Sequence, residues 1–259
     1  MTWDPRGRIA VVTGASSGIG EATTRRLARC GMTVVAVARR EDRLEALAEG
    51  QRGVIPFVAD VTDTDSVDAL AKQVRQDFGA CHALVNNAGV RGGEFRGRED
   101  LDRAIHTIDV NLVGTVRCTA AFADLLEAGA PSRVVNIASV AGKLGLGSAG
   151  YTASKFGVVG FSETLGFAWA SRDITVCQLN PGFVHTEGFP QDHFLRSPVG
   201  RLVGTPDDVA RAVHDVLVSG DMERTVPRWY RGAIVARHVS GPVYRMVARR
   251  LRRASGRRD

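Results

Sequence analysis

Ser139, Tyr151 and Lys155 are the residues whose types and spacing could do chemistry in this chain. Tyr151 and Lys155 stand four apart, and Phe156, Val158, Val159, Phe161 and Leu165 recur after them with helical spacing. Positions i and i+4 of a helix share a face, so a phenol and an ammonium group point into one space. A serine hydroxyl joins them from the end of the strand-like run Arg133–Ser139. A free tyrosine titrates near about 10; a neighbouring cation favours its phenolate and turns it into a general acid/base. On most amphipathic helices such a pair is only a half-buried ring and a solvated charge. Here the chain has three Tyr and three Lys (Lys72, Lys143, Lys155) against thirty-one Arg. Chance placement yields roughly 0.03 Tyr-x-x-x-Lys pairs at that composition.

The elements that must position these groups begin at the N-terminus. Residues 8–14, Arg-Ile-Ala-Val-Val-Thr-Gly, read as a strand entering a glycine turn, Ala15–Gly20, followed by a helix that stops at Gly31. A second strand, Thr33–Ala38, completes the start of a βαβ unit. Glycines at 14, 18 and 20 let the backbone turn tightly and approach a pyrophosphate at the helix N-terminus. The second strand ends Val37-Ala38-Arg39-Arg40. NAD sites carry an acid there for the ribose 2′-hydroxyl, whereas NADP sites use Arg for the 2′-phosphate, and a guanidinium matches phosphate geometry. With Ala38 where the acid would stand, NADP(H) is expected over NAD(H). The competing reading has Arg39 and Arg40 as solvated charges paired with Glu41 and Asp42.

Strand and helix alternate through the rest of the chain. A third strand, Val54–Ala59, runs into Asp60-Val61, and an amphipathic stripe follows over 63–78. A fourth, Ala83–Val85, runs into Asn86-Asn87-Ala88-Gly89. Residues 105–122 read as one long helix with Asn111 inside it, an unusual place for Asn without a distortion, a water site or exposure. A strand over 174–179 leads into Asn180-Pro181-Gly182-Phe183-Val184-His185-Thr186. Thr205-Pro206-Asp207-Asp208 opens a helix with a hydroxyl cap, a first-position Pro and acids in the first turn. Thr225-Val226 is a candidate last strand. This pattern predicts a Rossmann-like doubly wound parallel sheet in three α/β/α layers, as a single domain. Ligands of such sheets bind at the carboxyl ends of the strands, where Gly14, Arg39, Asp60, Asn86, Ser139 and Asn180 all fall.

With 259 residues the chain can bury a full core. No run of 18 or more apolar residues predicts a spanning helix, and the first eight residues carry no signal-peptide apolar region. Four scattered cysteines and six histidines show no metal-ligand spacing, so no metal is expected, and a reducing, cytoplasmic setting is. The net charge of +6 is concentrated in residues 228–259, which hold ten Arg and one Asp. Residues 1–227 are net acidic, which argues against a nucleic-acid-binding body. The expected organisation is a catalytic domain over 1–227 and a basic C-terminal extension over 228–259.

Taken together, these motifs resemble the short-chain dehydrogenase/reductase family, in its single-domain branch, over roughly residues 6–220. Thr13-Gly14-Ala15-Ser16-Ser17-Gly18-Ile19-Gly20 matches its TGxxxGxG cofactor turn, and Asn86-Asn87-Ala88-Gly89 its NNAG signature. Asn111, Ser139, Tyr151 and Lys155 match its catalytic tetrad. The resemblance implies that Tyr151 exchanges the substrate proton, that Lys155 lowers its pKa and binds the nicotinamide ribose, and that Ser139 holds the carbonyl oxygen. Asn111 would support a water linking Lys155 to solvent. It also implies cofactor contacts from Gly14, Ser16, Ser17, Gly18, Ile19, Gly20, Arg39, Arg40, Asp60, Val61, Asn87, Ala88, Gly89, Tyr151 and Lys155, and from Pro181, Gly182, Val184 and Thr186 around the nicotinamide. A homodimer or homotetramer built on helices near 100–125 and 151–170 is implied as well. Two features depart from the family pattern: a Ser139–Tyr151 interval one residue shorter than the commonest, and the Arg-rich segment after 227.

Phe183, Val184, Phe189, Phe194, Leu195, Val199, Leu202 and Val203 lie where the family has its substrate lid, and Leu144 and Leu146 add apolar surface. A mostly apolar cleft suits a lipophilic ketone or secondary alcohol. A 3-oxoacyl thioester substrate, NAD preference, and an idle dinucleotide-binding sensor are the alternatives. His106, His185 and His193 read as structural or rim residues. In the extension, Val243, Met246, Val247 and Leu251 recur with helical spacing among arginines, so the tail is also a candidate peripheral membrane contact.

Overall fold

The computed structural model describes residues 3–191, 203–242 and 244–246. Short runs rich in Val and Ile form the sheet: β1 (Ile9–Thr13), β2 (Thr33–Ala38), β3 (Val54–Val58), β4 (Ala83–Asn86), β5 (Ser132–Ile137), β6 (Ile174–Pro181) and β7 (Glu223–Val226). They line up in the order β3-β2-β1-β4-β5-β6-β7, and every neighbouring pair is parallel. Helices cover both faces, which is why most of these strands are apolar throughout instead of alternating. Pro56, which has no N–H to give a ladder, sits in the edge strand β3, where it is tolerated.

One face packs against α1 (Gly18–Arg29) and α9 (Pro206–Ser219) through Leu27, Val209, Val213 and Leu217. The other packs against α3 (Thr64–Phe78) and α6 (Ala123–Ala128), through Leu70, Val74, Leu125 and Leu126, with Phe122 at the start of α6. α2 (Glu41–Ala48) links β2 to β3. The α3 N-terminus is capped by Asp63, which accepts from the Asp65 amide, and its C-terminus by left-handed Gly79. Thr205 and Asp208 form the reciprocal capping box that opens α9. Strand order reverses between β1 and β4, so their carboxyl ends diverge into a crevice.

The helix expected over 105–122 is interrupted. α4 (Leu101–Ile108) passes through a π turn, Asp109–Val113, into α5 (Gly114–Ala121). The wide turn serves Asn111, which is fully buried. Its Oδ1 accepts from the Val90 amide (2.7 Å), and its Nδ2 donates to the Val90 carbonyl (3.0 Å) and to Ser154 Oγ (3.1 Å). Single π turns inside α-helices are frequent at functional sites.

The chain continues through α7 (Ala141–Leu144) and the long α8 (Ala149–Trp169), which carries Tyr151 and Lys155. After β7, α10 (Tyr230–Val239) packs back onto the body. Tyr230 is buried against Val140 and Leu144, and its hydroxyl accepts from the Phe183 amide (3.4 Å). The basic segment thus begins as part of the packed structure. The apolar residues expected at Phe194, Leu195, Val199 and Leu202, His193, and the tail positions Val243, Val247 and Leu251, lie outside the described residues. No helix among the described residues is long and apolar enough to cross a membrane.

Candidate active site

A cavity of about 1,100 Å³ opens at the carboxyl ends of β1, β2, β4, β5 and β6. The glycine turn builds one end of it. Gly14 and Gly18 have positive φ (65° and 57°), a backbone that side chains rarely adopt. A Cβ on Gly20 would stand 2.1 Å from the Gly14 carbonyl oxygen and 2.5 Å from Asn87 Nδ2. The turn is locked to the end of β4: Thr13 Oγ1 accepts from the Asn87 and Ala88 amides (both 3.0 Å), and Asn87 Nδ2 donates to the Thr13 and Gly14 carbonyls (2.9 and 3.2 Å). The Ser17 side chain, at the N-cap of α1, makes no capping hydrogen bond to the first amides of the helix, which begin at this turn.

The end of β2 delivers the two arginines differently. Arg40 lies over the turn, with Nε and Nη2 donating to Ser16 Oγ (3.2 and 3.0 Å) and Nη2 to Ser17 Oγ (2.9 Å). Arg39 leans toward Asp60 (3.6 Å). Burial pushes the Asp60 carboxyl up, but the Thr62 amide and hydroxyl (2.9 and 2.8 Å) and the nearby Arg39 outweigh it, so the group is held below its ordinary value.

The reacting groups stand at the other end. Ser139 Oγ accepts from the Ala141 amide (3.1 Å), donates toward the Pro181 carbonyl (3.4 Å) and shares a hydrogen bond with the Tyr151 phenol. Lys155 is 4% exposed, its Nζ donates to the Ile137 carbonyl (2.7 Å), and it lies 5.8 Å from the Tyr151 ring centre. Burial pulls the Lys155 ammonium down to about 8. Burial also raises the Tyr151 phenol, and the Ser139 hydrogen bond only partly offsets that. The sequence-based expectation of an acidified phenol is therefore reversed. The ammonium faces a main-chain carbonyl, and removal from water dominates both groups.

Gly14, Ser16, Ser17, Gly18, Ile19, Arg39, Arg40, Asp60, Val61, Asn87, Ala88, Gly89, Ser139, Tyr151, Lys155, Pro181, Gly182, Val184 and Thr186 all line this cavity. Two expected residues stand behind it. Gly20 packs under the turn, and Asn111 braces the loop at Val90; a Cβ on Gly89 would meet both Asn111 Oδ1 (3.1 Å) and Lys155 Nζ (3.8 Å). Asn86 is the last residue of β4 and Asn180 the last but one of β6, but both side chains turn into the sheet. Asn86 Nδ2 donates to Thr119 Oγ1 (3.0 Å) and to Asn136 Oδ1 (2.8 Å), Asn136 Nδ2 donates to Ser162 Oγ of α8 (2.9 Å), and Asn180 Nδ2 donates to Glu223 (3.3 Å). His106 is exposed, and His185 Nδ1 accepts from the Gln191 amide (3.0 Å). Sequence reasoning passed over the Arg91–Phe95 wall of the cavity, Ser154 beneath Asn111, and the tilted packing of the Phe189 ring against the Tyr151 ring (5.6 Å between centres). Of these only Phe189 had left a signal, its place in an apolar run.

A family model described as short chain dehydrogenase matches residues 8–192. The chain belongs to this family. It is an NAD(P)-dependent oxidoreductase that interconverts CH–OH and C=O groups, and an idle dinucleotide sensor is set aside. Among its relatives, a 3-oxoacyl-[acyl-carrier-protein] reductase of Synechocystis sp. is 38% identical, covering 80% of this chain and 87% of that one. A (2S)-[(R)-hydroxy(phenyl)methyl]succinyl-CoA dehydrogenase subunit of Thauera aromatica is 37% identical, covering 80% and 87%. A 3-oxoacyl-[acyl-carrier-protein] reductase of Thermotoga maritima is 36% identical, covering 80% and 89%. The fold is also similar to a solved ribose-5-phosphate isomerase from Brucella melitensis 16M, with TM-score 0.77 and 28% identity, covering 90% of this chain and 98% of that one. The cavity fits the dinucleotide such an oxidoreductase uses. Its volume suits a ligand of that size, side chains at 14 and 20 would collide with the turn and the end of β4 that shape its edge, and arginines flank the turn.

Proposed function

We propose that this enzyme reduces an apolar ketone, or oxidises the matching secondary alcohol, with NADP(H). The observation that carries the reading is a single cavity whose one end holds Ser139, Tyr151 and Lys155 and whose other end holds the glycine turn and Arg40. Ser139 Oγ steadies the carbonyl oxygen, and Tyr151 gives its phenolic proton to that oxygen during reduction and takes one back during oxidation. The buried Lys155 charge steadies the phenolate that reduction leaves. Asn111 acts one layer back, fixing Val90 and Ser154. The bound dinucleotide supplies or accepts the hydride. Gly14, Ser16, Ser17, Gly18 and Ile19 would hold its pyrophosphate, with Gly20 letting the turn close beneath them, Asp60 and Val61 its adenine, Arg39 and Arg40 its 2′-phosphate, and Asn87–Gly89, Pro181, Gly182, Val184 and Thr186 its nicotinamide half.

The test is NADPH consumption over a panel of lipophilic ketones and 3-oxoacyl thioesters. Tyr151→Phe should lower turnover about 10³-fold while NADPH still binds; wild-type turnover in that variant would end the assignment. A 3-oxoacyl thioester is the second reading, favoured by relatives whose names carry acyl-carrier-protein and CoA thioesters.

The assembly we propose is a homodimer or homotetramer. Leu101, Ile105, Val113 and Val116 on the α4–α5 side and Phe167 (70% exposed) on α8 support it by exposing apolar surface. The catalytic domain is taken as 1–227. The extension from 228 is proposed to rest on an anionic membrane surface beside a cytoplasmic enzyme. Exposed Trp229, Val235, Val239 and Met246 support this, together with the ten arginines of 228–259. Deleting residues 242–259 should reduce co-sedimentation with phosphatidylserine vesicles; unchanged co-sedimentation would remove the idea.

A further inference from the structure

Glu187 has no part in the chemistry above, yet it is fixed beside the end of the cavity that reads the cofactor. It follows Thr186 on the loop after β6 and reaches across to the β2–α2 junction. There Oε1 accepts from Arg40 Nη1 (3.3 Å) and Oε2 accepts from Arg43. Arg40 is therefore divided: Nε and Nη2 lie on the Ser16 and Ser17 hydroxyls, while Nη1 lies on an acid 147 residues further along the chain. The hydrogen bond from Arg43, with the charges of both arginines, holds the Glu187 carboxyl below its ordinary range, so it is an anion at any working pH.

We infer that Glu187 sets the selectivity between NADP(H) and NAD(H) by competing with the ribose 2′-phosphate for Arg40. The inference rests on the reading of Arg40 as a phosphate ligand. A 2′-phosphate at the Ser16–Arg40 corner would bring up to about two negative charges to a guanidinium already shared with a carboxylate. It meets both a partly neutralised partner and a like charge, whereas NAD(H), with a hydroxyl at that position, meets neither. Glu187 thus restrains a site whose two arginines would otherwise favour the phosphorylated cofactor more strongly. Arg43 keeps the acid in place, so the restraint is built into the loop that also carries Thr186 and, two residues on, the Phe189 ring against Tyr151.

The experiment is calorimetric binding of NADPH and NADH to the wild type, Glu187→Gln, Glu187→Asp and Arg40→Ala, at low salt and at about 0.5 M salt, where exposed charges are screened. Glu187→Gln should raise the ratio of NADPH to NADH affinity by about 3- to 10-fold at low salt. The rise should shrink at high salt, and Glu187→Asp should stay near the wild-type ratio. An unchanged or lowered ratio in Glu187→Gln, or equal changes for both cofactors, would overturn the inference. Arg40→Ala separates the two ideas. If it leaves the ratio where it was, the phosphate reading of Arg40 fails. If it collapses the ratio while Glu187→Gln does not raise it, only the role of Glu187 fails.

Discussion

Lys155→Met is expected to abolish turnover and at the same time to stabilise the ligand-free protein at neutral pH. Burial lowers the Lys155 ammonium from 10.5 to about 8, which makes holding its charge in the folded state cost about 3 kcal/mol at any pH below that value. Methionine has a similar unbranched shape and fills the space without a charge. It forfeits the hydrogen bond from the charged Nζ to the Ile137 carbonyl, a loss of about 2 kcal/mol. The net gain at pH 7 is therefore about 1 kcal/mol, or roughly 3 °C in Tm for a chain of this size. The sign depends on pH. The folded pKa lies below the unfolded one, so the penalty is complete below the folded value, shrinks as pH rises through it, and is gone above the unfolded value. Near pH 10.5 the variant should be no more stable than the wild type. Thermal melts of both ligand-free proteins at pH 7, 9 and 10.5 measure this. A variant that melts below the wild type at pH 7, or a difference that does not change with pH, would refute the reasoning.

Three further outcomes follow from the same site. Ketone reduction at saturating NADPH should be level up to about pH 8 and fall above it as Lys155 loses its proton; alcohol oxidation should climb over that range, because the burial-raised phenol must ionise to accept a proton. A pH–rate profile for reduction that rises above pH 9 contradicts this. Gly20→Ala places a Cβ against the Gly14 carbonyl and Asn87, so it should lower Tm and weaken NADPH binding by at least about tenfold, an overpacking cost of about 1–3 kcal/mol. Ser139→Ala should lower kcat about 10²-fold, as loss of one donor to a reacting oxygen does, with the NADPH dissociation constant little changed.

Much of this arrangement was legible because the informative signals are local. The strand, glycine turn and helix at residues 9–29 follow from apolar runs and from glycines that only certain backbones require. The start of α9 follows from four consecutive residues of capping chemistry. The π turn at Asp109–Val113 was not legible, since hydropathy reports which face of a helix is apolar and not how its turns are wound; the buried Asn111 was its one trace. Strand-end position alone could not separate Asn87, which turns toward the cavity, from Asn86 and Asn180, which turn into the sheet. The titration of Tyr151 and Lys155 was misjudged because spacing brings two groups near each other but says nothing of burial or of the carbonyl at Ile137. Glu187 and Arg40 are too far apart in sequence for any local pattern to join them.

The chain of amides and hydroxyl from Asn86 through Asn136 to Ser162 ties two central strands to α8. It acts as an index mark for the reacting helix. If α8 slid or rotated by one residue, the Asn136 amide and the Ser162 hydroxyl would part inside a dry interior, where each lost partner is costly. The stance of the phenol toward its substrate is therefore gauged from beneath, by contacts that never meet solvent or ligand, and a substitution at Ser162 is a way to blur catalysis without touching the cavity.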